Sequence, residues 1–193
     1  SASWVALIVH SFLQNAEIQS EYLEYSSVGT QVKHTVTVVY CEKGEKRSEY
    51  AAALLASRLG ADGVTFWNSS SLLKSADDSD VPSALVIRSL SYAEATELSY
   101  YGSPIIHPQS LLPAIEAETE VTLRYWNAEH DPGTVVSKEG NPASPYKVKG
   151  FSTIRNVALV NVEGVGMSGV VGISARLFSA MRNANISVIL ISQ

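Results

Sequence analysis

The sequence predicts an α/β protein in two parts. Along most of the chain, β-branched runs typical of strands alternate with apolar runs at helical spacing. Near the carboxyl end, a strand, a helix and a second strand follow one another within the length of a single βαβ unit. Strands that alternate with helices are typical of sheets covered by helices. The polar segment 137–147 contains two prolines and is the candidate linker between the parts.

Hydrophobic periodicity and β-branched alternation predict the elements of the first half of the chain. The first helix places Trp4, Ile8 and Phe12 on one face. In chain order the predicted elements are a helix at 4–16, strands at 18–25 and 32–40, a helix from Ser48 to Gly60, and a short strand at 64–67. The Ser- and Asp-rich stretch 68–83 predicts a loop.

Capping and alternation predict the elements of the second half. Ser91 is followed three residues later by Glu94, which is the pattern of a capping box at a helix start. In chain order the predicted elements are a helix from there to Gly102, a helix at 110–118, a strand at 120–126, a turn at 130–133, a strand at 157–162, a helix at 169–183 and a strand at 187–191.

Composition excludes several classes of protein. The chain has 193 residues, of which 46% are hydrophobic and 17% charged, so it can bury a sizeable core. The net charge is −5 and no basic run occurs, so neither nucleic acid nor an anionic membrane is expected as a partner. No apolar stretch is long enough to span a bilayer and no signal peptide is visible.

Cysteine usage and the chain ends carry two further expectations. A single cysteine, Cys41, cannot form an internal disulfide, which fits a reducing cytoplasmic location. The sequence begins at Ser1 and ends directly after an apolar strand, so we expect a piece of a longer protein. None of the four histidines has a second ligand at metal-site spacing after it, so no metal is expected.

The run Gly164-Val-Gly166-Met-Ser-Gly169 is a literal G-x-G-x-x-G between a predicted strand and a predicted helix. One interpretation is a dinucleotide-binding turn, although the following strand ends in Gln193 without the acid that would hold a ribose. A second interpretation is a pocket that holds a free amino acid by its carboxylate at the helix N-terminus. A third is a tight turn in which glycines permit close packing.

Segment 43–49 is the other glycine-led candidate for chemistry. It contains one glycine, Gly44, followed by charged residues of both signs. A phosphate cradle needs successive glycines so that backbone N–H groups converge. The composition therefore predicts a solvated, charged turn.

Seven motifs carry a resemblance to a known family. They are LSYAEATELSYYG at 90–102, IIHP at 105–108, RYWN at 124–127, DPGT at 131–134, VKGFSTIRN at 148–156, ALVNVEGVGMSG at 158–169 and NISVILISQ at 185–193. In this order and spacing they resemble aspartokinase, and most nearly the bifunctional aspartokinase–homoserine dehydrogenases. The resemblance is clear over residues 48–193 and weaker before them.

The resemblance implies a fold for each part. Residues 1–118 would form a reduced piece of the α/β/α sandwich of the amino acid kinases. Residues 119–193 would form an incomplete ACT regulatory region, of which only the first βαβ of a ferredoxin-like βαββαβ unit is present.

The resemblance also places the family's phosphate loop, a Gly-Arg-Gly/Asn-Gly-Ser-Asp run, on residues 44–49. Only Gly44 and Ser48 keep the pattern there, and Glu49 stands at the aspartate position. These are therefore eroded forms of the family's catalytic positions.

The family's nucleotide run, Thr-Asp-Val-Asp-Gly, falls on Asn68 to Leu72. Ser69 and Ser71 replace both acids, and Leu72 replaces the glycine where backbone must approach a nucleotide. Since phosphoryl transfer depends on positioned phosphates and neutralised charge, the resemblance implies a poor kinase or none.

The sensing half of the family pattern is retained. The resemblance implies an amino-acid effector, threonine or lysine, in a pocket between two ACT units, and hence a homo-oligomer formed through ACT pairing. The expected contacts are Gly164, Gly166, Met167, Gly169, Val170, Val171 and Gln193.

Three functions remain open on these grounds. The first is a regulatory, effector-binding chain of the aspartate-derived amino-acid pathway, with an eroded ATP site and no bound cofactor. The second is an active aspartate kinase that uses ATP and Mg²⁺. The third is an oligomerisation module without a ligand.

Overall fold

The computed structural model describes residues 2–29, 33–41, 48–100, 107–163 and 171–192. They fall into two compact units, Ser1–Arg155 and Asn156–Gln193. The elements are α1 (Ala2–Asn15), β1 (Ser20–Glu24), β2 (Val36–Tyr40), α2 (Ser48–Leu59), β3 (Gly63–Asn68), β4 (Ser89–Ser91), α3 (Tyr92–Tyr100), α4 (Pro108–Glu116), β5 (Glu120–Tyr125), β6 (Thr134–Ser137) and α5 (Ile173–Asn183). This mixture of helices and sheets confirms the predicted α/β class. No described helix has the length and apolar character needed to cross a bilayer.

A small parallel sheet, β1 beside β2, lies under α1. The His10 Nδ1 and Ser20 Oγ atoms are 2.9 Å apart, which joins the helix to β1. The rings of Tyr22 and Tyr40 stack across the two strands with centroids 5.0 Å apart. The predicted apolar face of α1 is largely open to solvent, since Trp4 is 67% exposed and Phe12 71%. A sheet of only two strands covers a small part of the surface of α1, so much of this apolar helix stays exposed.

The larger sheet has the order β3-β5-β6-β4. The strand β3 is parallel to β5, β4 is parallel to β6, and β5 and β6 are antiparallel. α4 packs against both α2 and α3, and all three helices also contact strands of this sheet. The largest fully buried apolar side chains are Leu90, Leu111, Val121 and Val136. These strands and helices therefore enclose the main core.

Two helix starts show how local sequence sets the element boundaries. At α3 the predicted capping box is confirmed: the Ser91 amide donates to Glu94 Oε2 at 2.7 Å, and the Glu94 amide donates to Ser91 Oγ at 3.1 Å. At α4 the N-cap is His107, whose Nδ1 accepts from the Gln109 amide at 3.3 Å. Pro108 occupies the first turn of the helix, where a backbone N–H would have no acceptor within the helix, so its absence does not destabilise the helix.

The strands β4 and β6 were not expected from the sequence, because each is too short to show a clear alternation. Since β5 and β6 lie in the same sheet as β3, the first compact unit continues past residue 118 and past the expected linker at 137–147. It ends at Arg155.

The second unit contains α5, which begins after Gly172 at φ +91°. The expected strands at 157–162 and 187–191 are irregular segments that belong to none of the described sheets. Their apolar side chains are open: Leu159 is 99% exposed and Leu190 77%. A strand needs a neighbour to pair its backbone groups, and the described part of the chain provides none here.

Candidate functional site

A cavity of about 220 Å³ lies where β3 ends. Seven described residues line it: Glu49, Phe66, Trp67, Asn68, Ser69, Ser70 and Leu123. Phe66 and Leu123 are partners in the parallel register of β3 and β5, so their side chains lie on the same face of the sheet. Glu49, in the first turn of α2, brings the one charged group among these lining residues. The carboxyl ends of parallel strands are where α/β folds commonly bind ligands.

The loop after β3 is closed by its own hydrogen bonds. The Asn68 Oδ1 atom accepts from the Ser70 amide at 2.7 Å, which forms an Asx turn. The Asn68 carbonyl accepts from the Trp126 amide at 3.2 Å, and the Ser69 carbonyl accepts from the Trp126 indole Nε1 at 3.2 Å. Both carbonyls therefore already accept hydrogen bonds from Trp126, the residue that follows β5.

Arg124 directly follows the lining residue Leu123 in the sequence. Its guanidinium group already contacts other groups of the protein. Its guanidinium lies 4.6 Å from the centroid of the Trp67 ring, a cation–π contact. Its Nη2 atom donates to the carbonyls of Glu129 and Asp131. Arg124 therefore supports the rim of the cavity but does not line it.

The turn that receives Arg124 is fixed by an ion pair. Arg88 donates from Nη1 to Asp131 Oδ1 at 2.5 Å and from Nη2 to Oδ2 at 3.0 Å, a bidentate fork. These hydrogen bonds, helped by the Gly133 amide, hold the pKa of Asp131 below its ordinary value. The same pairing raises the pKa of Arg88.

The structure gathers some of the predicted nucleotide-loop positions and separates others. Glu49, Asn68 and Ser69 line one cavity, as the resemblance implies for neighbouring parts of a site. Ser48 is exposed at the start of α2, and Ser71 is half-buried; neither lines the cavity. Gly44 lies outside the described residues.

Sequence reasoning missed the apolar part of the cavity. Phe66 and Trp67 stand in β3, which was expected only as a short strand, and Leu123 stands in β5. A signal was present in the sequence, because ligands of α/β folds bind at the carboxyl ends of strands and these two aromatic residues directly precede the run at 68–72. Ser70 stands at the valine position of the family run, so the resemblance gives it no role.

Most of the expected effector positions lie outside the described residues, namely Gly164, Gly166, Met167, Gly169, Val170 and Gln193. The exception is Val171, which is 98% exposed and directly precedes the Gly172 N-cap of α5. In the described ranges, no three His, Cys, Asp or Glu side chains come together as a metal site would require.

Family comparisons agree with this architecture. A model of the amino acid kinase family matches residues 3–124, and a model of an ACT domain matches residues 160–193. The kinase match covers α1 through β5 and so includes the whole cavity lining.

Curated relatives are bifunctional aspartokinase/homoserine dehydrogenases. The chloroplastic enzyme 1 of Arabidopsis thaliana is 37% identical over 150 residues, which is 76% of this chain and 16% of that protein. The enzyme of Haemophilus influenzae is 40% identical over 151 residues, which is 78% of this chain and 18% of that protein. The chain thus spans less than a fifth of the length of these two relatives.

Solved structures show the same fold. Escherichia coli aspartokinase III in complex with aspartate and ADP superposes with a TM-score of 0.64 at 20% identity, covering 97% of this chain and 50% of that one. UMP kinase from Ureaplasma parvum superposes with a TM-score of 0.57 at 12% identity, covering 71% of this chain and 68% of that one. These structural similarities and the two family-model matches confirm the expected fold and the resemblance to aspartokinase. The chain belongs to the amino acid kinase family, in which it is similar to the aspartokinases, and it carries an ACT segment.

Proposed function

We propose that this chain is an aspartokinase-like regulatory chain of the aspartate-derived amino-acid pathway. It binds an amino-acid effector through its ACT segment, and its ATP site is eroded. The observation that carries the proposal is the cavity at the end of β3, because its size and its charge both disfavour a magnesium nucleotide.

Charge is the first argument. A kinase neutralises the triphosphate with cations and with Mg²⁺ held by acids. Among the described lining residues the charged group is the Glu49 carboxylate, which repels phosphate. Ser69 and Ser71 stand where the resemblance places the two acids of the nucleotide run, so both of those acids are missing from this chain.

Size and loop geometry are the second argument. The cavity of about 220 Å³ lies below the roughly 300–1,000 Å³ typical of small-molecule sites. The Asx turn at Asn68 and the two hydrogen bonds from Trp126 hold the loop whose residues line this cavity. Leu72 adds a side chain where the resemblance expects glycine.

The effector proposal rests on the ACT match to residues 160–193. The α5 N-terminus has no side-chain cap, and a ligand carboxylate beside Val171 would lie at the amide-donor end of the helix. A structure of Escherichia coli aspartokinase III contains lysine and aspartate, which supports an amino acid as the ligand class. We propose threonine or lysine as the effector, contacted by residues 164–171 and by Gln193.

Self-association through the ACT segment completes the proposal. Segments 157–162 and 187–191 expose apolar side chains such as Leu159 and Leu190. A second copy would supply the missing strand neighbours and cover this surface.

Calorimetry with L-threonine, L-lysine and L-methionine tests the effector. We expect saturable binding of threonine or lysine, and a loss of that binding in Gln193→Ala. Sedimentation velocity with and without the amino acid should show the association. If none of the three amino acids binds while the chain still self-associates, the chain is a ligand-free oligomerisation module instead.

An active aspartate kinase is the second candidate function. It is favoured by one observation, that Glu49, Asn68 and Ser69 line a common cavity at the end of β3. An assay that couples ADP release to aspartate and Mg·ATP separates the two functions. We expect no aspartate-dependent ADP release, and turnover on the order of 1 s⁻¹ would establish the kinase.

A further inference from the structure

A larger cleft, of about 540 Å³, lies in the first unit between α3 and residues 147–152. We call residues 147–152 the facing wall. The cleft is distinct from the cavity at the end of β3, since the two share no lining residue. Its volume falls in the range typical of small-molecule sites.

The facing wall is anchored by contacts to residues outside α3. The Phe151 amide donates to the Ser75 carbonyl at 2.7 Å. Gly150 lies so close to the same residue that a Cβ there would stand 3.2 Å from the Ser75 carbonyl oxygen. Arg155, just beyond the wall, forms an ion pair with Asp80. The cleft is therefore bounded by a helix and by a segment with fixed attachments of its own.

Opposite charges line the two sides of this cleft. On α3, Glu94 and Glu97 face it, and one oxygen of Glu94 is already used by the capping box. The facing wall contributes Lys147 and Lys149. Among the described residues, no ion pair or hydrogen bond joins these lysines to those acids, and Glu97 has no other partner.

Each side of the cleft also contributes an apolar side chain. Leu98 of α3 packs against the main core and also lines the cleft. Phe151 lines it from the facing wall and is 72% exposed. Covering an exposed aromatic ring with a ligand removes apolar surface from water, which favours binding.

From this arrangement we propose that the cleft binds a free α-amino acid with an apolar side chain. The ligand's ammonium group faces Glu97, its carboxylate faces Lys147 and Lys149, and its side chain covers Leu98 and Phe151. A dipolar ligand is favoured because it satisfies both charged sides at once, whereas a simple anion or cation satisfies one. The site is separate from the effector loop of the proposed function and does not depend on it.

Calorimetric titration of the 193-residue chain tests this inference with three probes of matched shape. They are L-leucine, 4-methylpentanoate, which lacks the ammonium, and 3-methylbutylamine, which lacks the carboxylate. We expect saturable binding of leucine and at least about tenfold weaker binding of each analogue, because each loses one set of charge-assisted hydrogen bonds.

Variants locate the site. Glu97→Gln and Lys149→Gln should each weaken leucine binding about tenfold. The matched controls Glu139→Gln and Lys33→Gln remove the same charges from exposed positions that do not line the cleft, and should leave binding unchanged. Glu97, Glu139 and Lys33 are exposed and Lys149 is half-buried, so the variants are expected to fold, and circular dichroism checks this.

Three results would overturn the inference. The first is an absence of saturable leucine binding. The second is equal binding of leucine and either analogue. The third is leucine binding that Gln193→Ala abolishes and Glu97→Gln leaves intact, because the ligand would then occupy the effector loop.

Discussion

The indole Nε1 of Trp126 donates a hydrogen bond to the carbonyl oxygen of Ser69 at 3.2 Å. This contact joins the segment after β5 to the loop after β3, where the resemblance places a nucleotide. Its effect is to hold the loop in the conformation that leaves a cavity of about 220 Å³. The loop is thus fixed by the protein's own groups.

Trp126→Phe should loosen this loop. The substitution removes the indole donor while keeping an aromatic ring, so we expect a loss of about 1 kcal/mol in the free energy of unfolding. Hydrogen exchange should become faster at the amides of Ser69 and Ser70. Trp4→Phe is the control, because Trp4 is 67% exposed on α1. Unchanged exchange in Trp126→Phe would show that the contact does not restrain the loop.

Gly133→Ala should destabilise the first unit strongly. Gly133 has φ +81°, and a Cβ there would lie 2.1 Å from the backbone oxygen of Leu123 in β5. We expect a loss of about 3 kcal/mol or more, since backbone must move. Urea unfolding followed by circular dichroism measures this loss.

Two glycines provide graded controls for that variant. Gly60 has φ +61° but open space around it, so Gly60→Ala should cost about 1 kcal/mol for backbone strain alone. Gly29 has neither the positive φ nor a neighbour within 4 Å, and Gly29→Ala should stay within about 0.5 kcal/mol. Equal effects at all three positions would contradict the described packing of the turn.

Adjacent leucines of α4 should differ sharply on truncation. Leu111 is fully buried in the main core, whereas Leu112 is 50% exposed. Leu111→Ala should lower the free energy of unfolding by about 3 kcal/mol, and Leu112→Ala by less than about 1 kcal/mol. Since helix propensity changes equally in both, the difference reports core packing alone. Comparable losses would mean that α4 presents a different face to the sheet.

The ion pair between Arg88 and Asp131 should make the free energy of unfolding depend on pH in the acidic range. Because hydrogen bonds from Arg88 lower the pKa of Asp131 in the folded state, this carboxylate stabilises the fold above its unfolded pKa. The stabilisation is lost as the pH falls through the folded pKa. We expect the urea midpoint to drop as the pH falls below about 4, and to drop less in Asp131→Asn.

Asp62→Asn is the charge-matched control, because it removes one carboxylate from an exposed position outside this turn. Its urea unfolding is measured over the same pH range. If Asp131→Asn and the unmodified chain lose stability in parallel, the pair with Arg88 does not contribute to the fold.

Local signals in the sequence were enough to predict most helices and the longer strands. The Ser91 and Glu94 pair predicted the start of α3 because both partners of its capping box are only three residues apart. The strands β4 and β6 could not be predicted this way. Their pairing joins Leu90 to Val136, residues far apart in the chain, and each strand is too short to show its own periodicity.

The site was predicted only in part for a related reason. Motif alignment found Glu49, Asn68 and Ser69, and the structure brings these together. It did not predict that Trp126 closes the loop, since that contact depends on the parallel register of β3 and β5. Register is a property of two strands together, and no single stretch of sequence specifies it.

The proposed function requires that the cavity beside Glu49 and Asn68 does not accept a magnesium nucleotide. A calorimetric titration of the chain with Mg·ATP measures this binding. We expect no saturable binding up to about 1 mM nucleotide. A dissociation constant in the range of about 1–10 µM, lost in Asn68→Ala, would show instead that the ATP site is intact.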